Sequence, residues 1–148
     1  MPRLTYALIC TDEIVDKETS AVSFIRVAEV VHFARLPGQV PPLVLALAFE
    51  RGPEGDTGAF NLRLSRMGPD GALSPLIIFT VPSAPGPNQR VSLRLAGMTV
   101  TKPGRYAVLV EVEDEGKYLQ LAELPLHVVL RAASRSPGAV EAPEGPVQ

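Results

Sequence analysis

The sequence holds no tryptophan, one cysteine, two histidines and three lysines in 148 residues. Each scarcity closes a class of protein. With Cys10 alone, an intrachain disulfide is impossible and the fold cannot depend on oxidation. His32 and His127 stand without His-x-His or Cys-x-x-Cys spacing and give no zinc signature. Positive charge is not concentrated either: the net charge is −2 and the pI near 5.7, which argues against a nucleic-acid partner, because displacing counterions from phosphates takes a clustered positive field. No apolar run approaches the roughly 20 residues that cross a bilayer. The run Leu4 to Cys10 is too short for a signal-peptide core and ends in Asp12-Glu13, so no membrane association and a cytoplasmic location are expected. Gly-rich phosphate loops, a Gly-x-Ser-x-Gly elbow and a dinucleotide fingerprint are absent, so no cofactor and no catalytic residue is assigned. Arginine outnumbers lysine 11 to 3, as either a GC-rich genome or selection for heat resistance would produce.

What the chain does hold is period-two apolar spacing, the mark of half-buried strands. Arg105 to Val112 sets Tyr106, Val108, Val110 and Val112 on one side, after a break at Pro103-Gly104. Asp114-Glu115-Gly116 supplies the positive φ of a short hairpin loop, and Lys117 to Ala122 and then Leu124 to Leu130 read as two further strands. Upstream, strands are expected at Arg3 to Cys10, at Ala21 to Phe33 with a bulge or bend at Ala28-Glu29, and at Leu43 to Phe49 as a central strand. Others are expected at Ala59 to Met67, Leu73 to Val81 and Gln89 to Leu95. Pro75 demotes the first half of Leu73 to Val81 to an edge or entry position. Asp12 to Ser20 reads as a polar loop with a turn of helix, and Arg35 to Pro42 as a crossing loop that joins no ladder.

Eight or nine short strands with no helical period predict an all-β fold, an antiparallel β-sandwich of immunoglobulin-like or related Greek-key type over residues 1–131. A small closed barrel is the alternative. The tail 132–148, rich in proline, alanine and glycine, is expected to be disordered. Tyr106, just after Pro103-Gly104, resembles the corner tyrosine of immunoglobulin-like domains, whose hydroxyl bonds back to nearby backbone; the plainer reading is a core tyrosine with its hydroxyl at the rim.

The segments ALICTDEIVDKETSAVSFIRVAEVV and LPGQVPPLVLALAF, with the later PGRYAVLVEVEDEGKYL, resemble a family of short, uncharacterised bacterial proteins. The shared features are a Cys-x-Asp segment after the first strand, a Ser-Phe/Leu-Ile strand, a Pro-ended crossing loop before an apolar strand, and a Pro-Gly-x-Tyr hairpin. The resemblance covers most of residues 6 to 130 and implies one β-sandwich domain of unknown function. This chain has Ala28-Glu29 where an aromatic–Asp pair is commoner.

Several constellations could carry chemistry. Cys10 with His32 or His127 would make a nucleophile and base, but Cys10 lies on an alternating apolar strand and reads as a buried thiol. His127 is expected to face solvent or the second sheet, and His32 to close a strand. Acidic groups fall at Asp12, Glu13 and Asp16, at Glu50, Glu54 and Asp56, and at Glu113, Asp114 and Glu115; convergent loops of this kind can hold calcium or serve a metal-dependent hydrolase, although solvated loop carboxylates are the ordinary case. Arg63, Arg90 and Arg94 take outward positions on strands that could be neighbours, as a basic strip for an anion or an acidic partner; cross-strand pairing with glutamates such as Glu111 is the favoured alternative.

The functional expectation is a non-catalytic binding or assembly module. Ile9, Val44, Leu109 and Val129 on nominally outer faces point to a second buried surface, hence to a homo-oligomer or a protein partner.

Overall fold

The computed structural model describes residues 2–51 and 58–131. Eleven strands run in chain order: β1 (Arg3–Val15), β2 (Val22–Val27), β3 (Val30–Phe33), β4 (Gly38–Gln39), β5 (Leu43–Glu50), β6 (Phe60–Met67), β7 (Leu73–Val81), β8 (Asn88–Leu95), β9 (Thr99–Val100), β10 (Gly104–Asp114) and β11 (Lys117–Leu130). There is no helix among the described residues. The all-β reading holds. The count of eight or nine strands is corrected to eleven.

The strands form a four-stranded sheet in the order β2-β1-β5-β8, a five-stranded sheet in the order β3-β11-β10-β6-β7, and the small pair β4-β9. β5 lies between β1 and β8, as a central strand should. Its large residues Leu43, Leu45, Leu47 and Phe49 join one hydrophobic cluster with Leu62, Leu64, Val108, Val110, Val112, Leu126 and Val128 of the five-stranded sheet. Alternating side chains of both sheets thus share a common core. Val44, Ala46 and Ala48, on the opposite side of β5, are also covered.

Four strand boundaries depart from the sequence reading, each for a local reason. β1 continues through the expected loop: Asp12, Glu13, Ile14 and Val15 pair with Ile25, Phe24, Ser23 and Val22. Ladder hydrogen bonds outweigh the low strand propensity of the two acids. The turn that follows is built on Asp16, whose carboxylate accepts the Glu18 and Thr19 amides at 2.8 and 3.0 Å. The expected bend at Ala28-Glu29 is a change of sheet. The Ala28 amide donates to Ile9 O at 2.7 Å in the four-stranded sheet, and the His127 amide donates to Glu29 O at 2.8 Å in the five-stranded one. β3 then pairs with β11 in parallel, so the five-stranded sheet is mixed and not purely antiparallel. The crossing loop contributes Gly38-Gln39 to a ladder with Val100 and Thr99, while Pro37, Pro41 and Pro42 stay outside it.

Finally, the two strands expected at Lys117–Ala122 and Leu124–Leu130 are one. Val110 pairs with Ala122 and Glu111 with Gln120, so Leu121 is an extra residue, and this bulge shifts the apolar phase without breaking the strand. The β10–β11 hairpin closes through Glu115 and Gly116, with φ of 51° and 79°, between paired Asp114 and Lys117. Two positive φ values match the primed turn that a two-residue hairpin prefers. The expected tail, 132–148, lies outside the described residues.

Candidate functional site

The three arginines predicted to form a strip are divided by the fold. Arg63 stands on β6 in the five-stranded sheet, whereas Arg90 and Arg94 stand on β8, the edge of the four-stranded one. Arg63 is held within its own sheet: its Nε donates to Glu111 Oε1 at 2.8 Å and its guanidinium lies 4.1 Å from the centre of the Tyr118 ring. Cross-strand pairing with Glu111, the favoured alternative, is the observed one. Arg90 donates to Ser20 O at 2.9 Å, and both Arg90 and Arg94 are exposed. Alternation of side chains reveals which way a residue faces, not which sheet its strand joins. The strip therefore looked plausible in the sequence.

Arg90 borders an open groove of about 590 Å³ on the four-stranded sheet, lined also by Thr5, Tyr6, Ala48, Asn88 and Gln89. Tyr6 meets Phe24 edge to face, with ring centres 5.5 Å apart. Partial burial raises the Tyr6 pKa, opposed by the nearby Arg90 charge and reinforced by Glu13. Glu13 in turn accepts a hydrogen bond from the Ser92 hydroxyl.

The proposed nucleophile and base are not assembled. Cys10 is buried in the four-stranded sheet and its thiol is pushed up by burial first and by Glu13 next, which keeps it protonated. His32 and His127 are exposed on β3 and β11 of the other sheet, and neither is hydrogen-bonded to Cys10.

The carboxylates are spread among local partners. Asp12 accepts the Glu13 amide, Asp16 caps its turn, Glu50 pairs with Arg3, and Glu113 accepts from Asn61 at 2.8 Å. Glu54 and Asp56 lie outside the described residues. Among the described residues no three His, Cys, Asp or Glu side chains are grouped to hold a metal ion.

The residues expected to mark a second surface are mostly covered within the chain. Ile9 joins the common core, because the bulge at Thr5 (Leu4 pairs with Phe49, Tyr6 with Ala48) turns Leu4, Ala7 and Ile9 inward. Val44 and Leu109 are buried too, leaving Val129 exposed. The exposed apolar surface is instead elsewhere: seven of the eleven large exposed hydrophobic residues sit on β3, β7 and β11 of the five-stranded sheet, the rest on β1 and β2. Leu73, Met67, Ala107 and Pro125 are in register across that sheet on the side away from Val108; Leu73 and Pro125 at the ends of this row are exposed, while Ala107 between them is buried. The signal that could have found the β7 part of this surface is the absence of any charged residue from Gly71 to Gln89.

A family model described as a family of unknown function, DUF6941, matches residues 5–129. The chain belongs to this family. DUF6941 membership agrees with the resemblance drawn from the Cys-x-Asp and Pro-Gly-x-Tyr segments and covers nearly all the described strands. No curated protein matches the chain. Among solved structures, a similar one is a Pseudomonas fluorescens alkylpurine DNA glycosylase bound to DNA containing an abasic site analog, with 12% identity and a TM-score of 0.48. That match covers 86% of this chain, which spans 30% of the glycosylase chain. No helix among the described residues is long and apolar enough to cross a membrane.

Proposed function

We propose that this member of DUF6941 is a non-catalytic binding and assembly module, one immunoglobulin-like β-sandwich domain over residues 1–131, that self-associates through its five-stranded sheet. The supporting observation is the set of exposed large apolar residues toward the two ends of that sheet, Val30, Leu119, Val129 and Leu130 on β3 and β11 and Leu73, Ile77 and Ile78 on β7, with Leu73 and Ile78 each 60% exposed. Leaving the β7 side chains in water forgoes about 25 cal/mol for each Å² that a partner would cover. A sandwich architecture accounts for the core shared between the two sheets and for the Tyr106 hydroxyl bonded back to Lys102. Arg90 and Arg94 on the other sheet offer a contact to an acidic group of a partner. The acidic balance and modest apolar runs favour a cytoplasmic protein that binds other protein rather than nucleic acid or membrane.

Sedimentation at micromolar concentration tests the reading. A dimer or larger species is expected, and a monomer throughout would overturn it.

A further inference from the structure

We infer that β7 is the edge along which a second copy of this chain adds, so that two five-stranded sheets join into one; this names the contact for the self-association proposed above and rests on it. Among the described residues both larger sheets are open, and unpaired edge strands invite another strand unless something blunts them. Three of the four edges are blunted. β3 is only four residues long. β2 carries Arg26 at a φ of 54°, a left-handed backbone position that interrupts a straight ladder. β8 carries Arg90 and Arg94 on one side, which would face the same arginines of a copy laid alongside.

β7 has none of these devices beyond Pro75. It runs nine residues, Leu73–Val81, and pairs only with β6 among the described residues. Pro75 withholds one amide in its first half, leaving Leu76 to Val81 intact. No charged residue occurs from Gly71 to Gln89, in a chain where 20% of residues are charged. Charge-free sequence of this length selects no acidic or basic partner, but it lets the strand meet itself without like-charge repulsion. In an antiparallel pair about a two-fold axis at Ile78, that residue would oppose its own copy and Ile77 would oppose Phe79 of the second copy; Ile77 and Ile78 are open to solvent at 45% and 60%. β-branched pairs across a ladder are favourable. Ile77 also borders a groove of about 180 Å³ with Leu76, Arg94, Leu95, Ala96 and Met98 between the edges of the two sheets, and an added strand would give it a further wall.

The test uses the full chain, in which Cys10 is the one cysteine and is buried. Single cysteines introduced as I77C, I78C and L73C are oxidised and separated by size. Efficient crosslinking at position 77 or 78 with little at 73 is expected. In parallel, Ile78→Lys should weaken dimerisation by roughly 100-fold through facing like charges, whereas Ile25→Lys on β2 should not. A wild-type dimer that survives Ile78→Lys, or that crosslinks no better at 77 and 78 than at 73, overturns the β7 edge while leaving self-association standing. A wild-type monomer overturns both.

Discussion

The Tyr106 hydroxyl donates to the Lys102 carbonyl at 2.9 Å and accepts from the Thr101 and Lys102 amides at 3.3 Å. One side chain thereby fixes the segment joining β9 to β10, with the Arg66 guanidinium 5.4 Å from the centre of its ring. Of the two readings open in the sequence, a rim hydroxyl or one bonded back to the chain, the second is present. Tyr106→Phe keeps the ring in the core and removes these bonds. We expect a loss of about 1–2 kcal/mol of stability, read by urea denaturation, with the strand spectrum unchanged.

Arg51 is 2% exposed and reaches three separate stretches of chain. It donates to Gly58 O at 2.7 Å, to Pro82 O and to the Gln89 side chain, and stacks 5.0 Å over Phe60. Arg51→Met would remove the donor to Gly58 O and the bond to the Gln89 side chain, while Pro82 O keeps the Gln89 amide as a donor at 3.0 Å, and should cost roughly 1–2 kcal/mol. Arg51→Lys should recover little, because a point charge cannot reproduce the planar fork. Thermal unfolding of the pair of variants checks both expectations.

Ionisation gives two opposite pH dependences. The Cys10 thiol is raised mainly by burial, so its contribution is full below the ordinary thiol range and declines as pH rises through it. Cys10→Ala should therefore reduce the alkaline fall in stability, and wild-type Cys10 should react with a thiol reagent only as the protein unfolds. Asp16 is lowered by the Thr19 and Glu18 amides, so its contribution is full at neutral pH and is lost as pH falls through its depressed value. Asp16→Ala should flatten the acid limb of a stability profile.

Glu115 occupies a left-handed position, φ 51°, ahead of Gly116 in the β10–β11 turn. Glutamate gains nothing there that asparagine would not supply at lower backbone cost. Glu115→Asn should stabilise by roughly 0.5–1 kcal/mol, measured as a higher denaturation midpoint.

Strands were legible where apolar spacing was regular. β5, β6, β8 and β10 follow their alternation closely, and Pro75 correctly marked β7 as an edge. Bulges hid the rest: the extra Thr5 reversed the inward face of β1, and the extra Leu121 made one strand look like two. Asp12 and Glu13 masked the end of β1 because pairing with β2 is a tertiary gain that composition does not carry. Two-residue ladders such as β4–β9 are shorter than any period can register. The arginine strip failed for a related reason, since strand order decides whether Arg63 and Arg90 can be neighbours.

The most direct test of the account is sedimentation velocity of the full chain across the micromolar range, beside Ile78→Lys. Self-association through the five-stranded sheet predicts a wild-type dimer that the substitution converts to a folded monomer. A wild-type protein that stays monomeric at every concentration would contradict it.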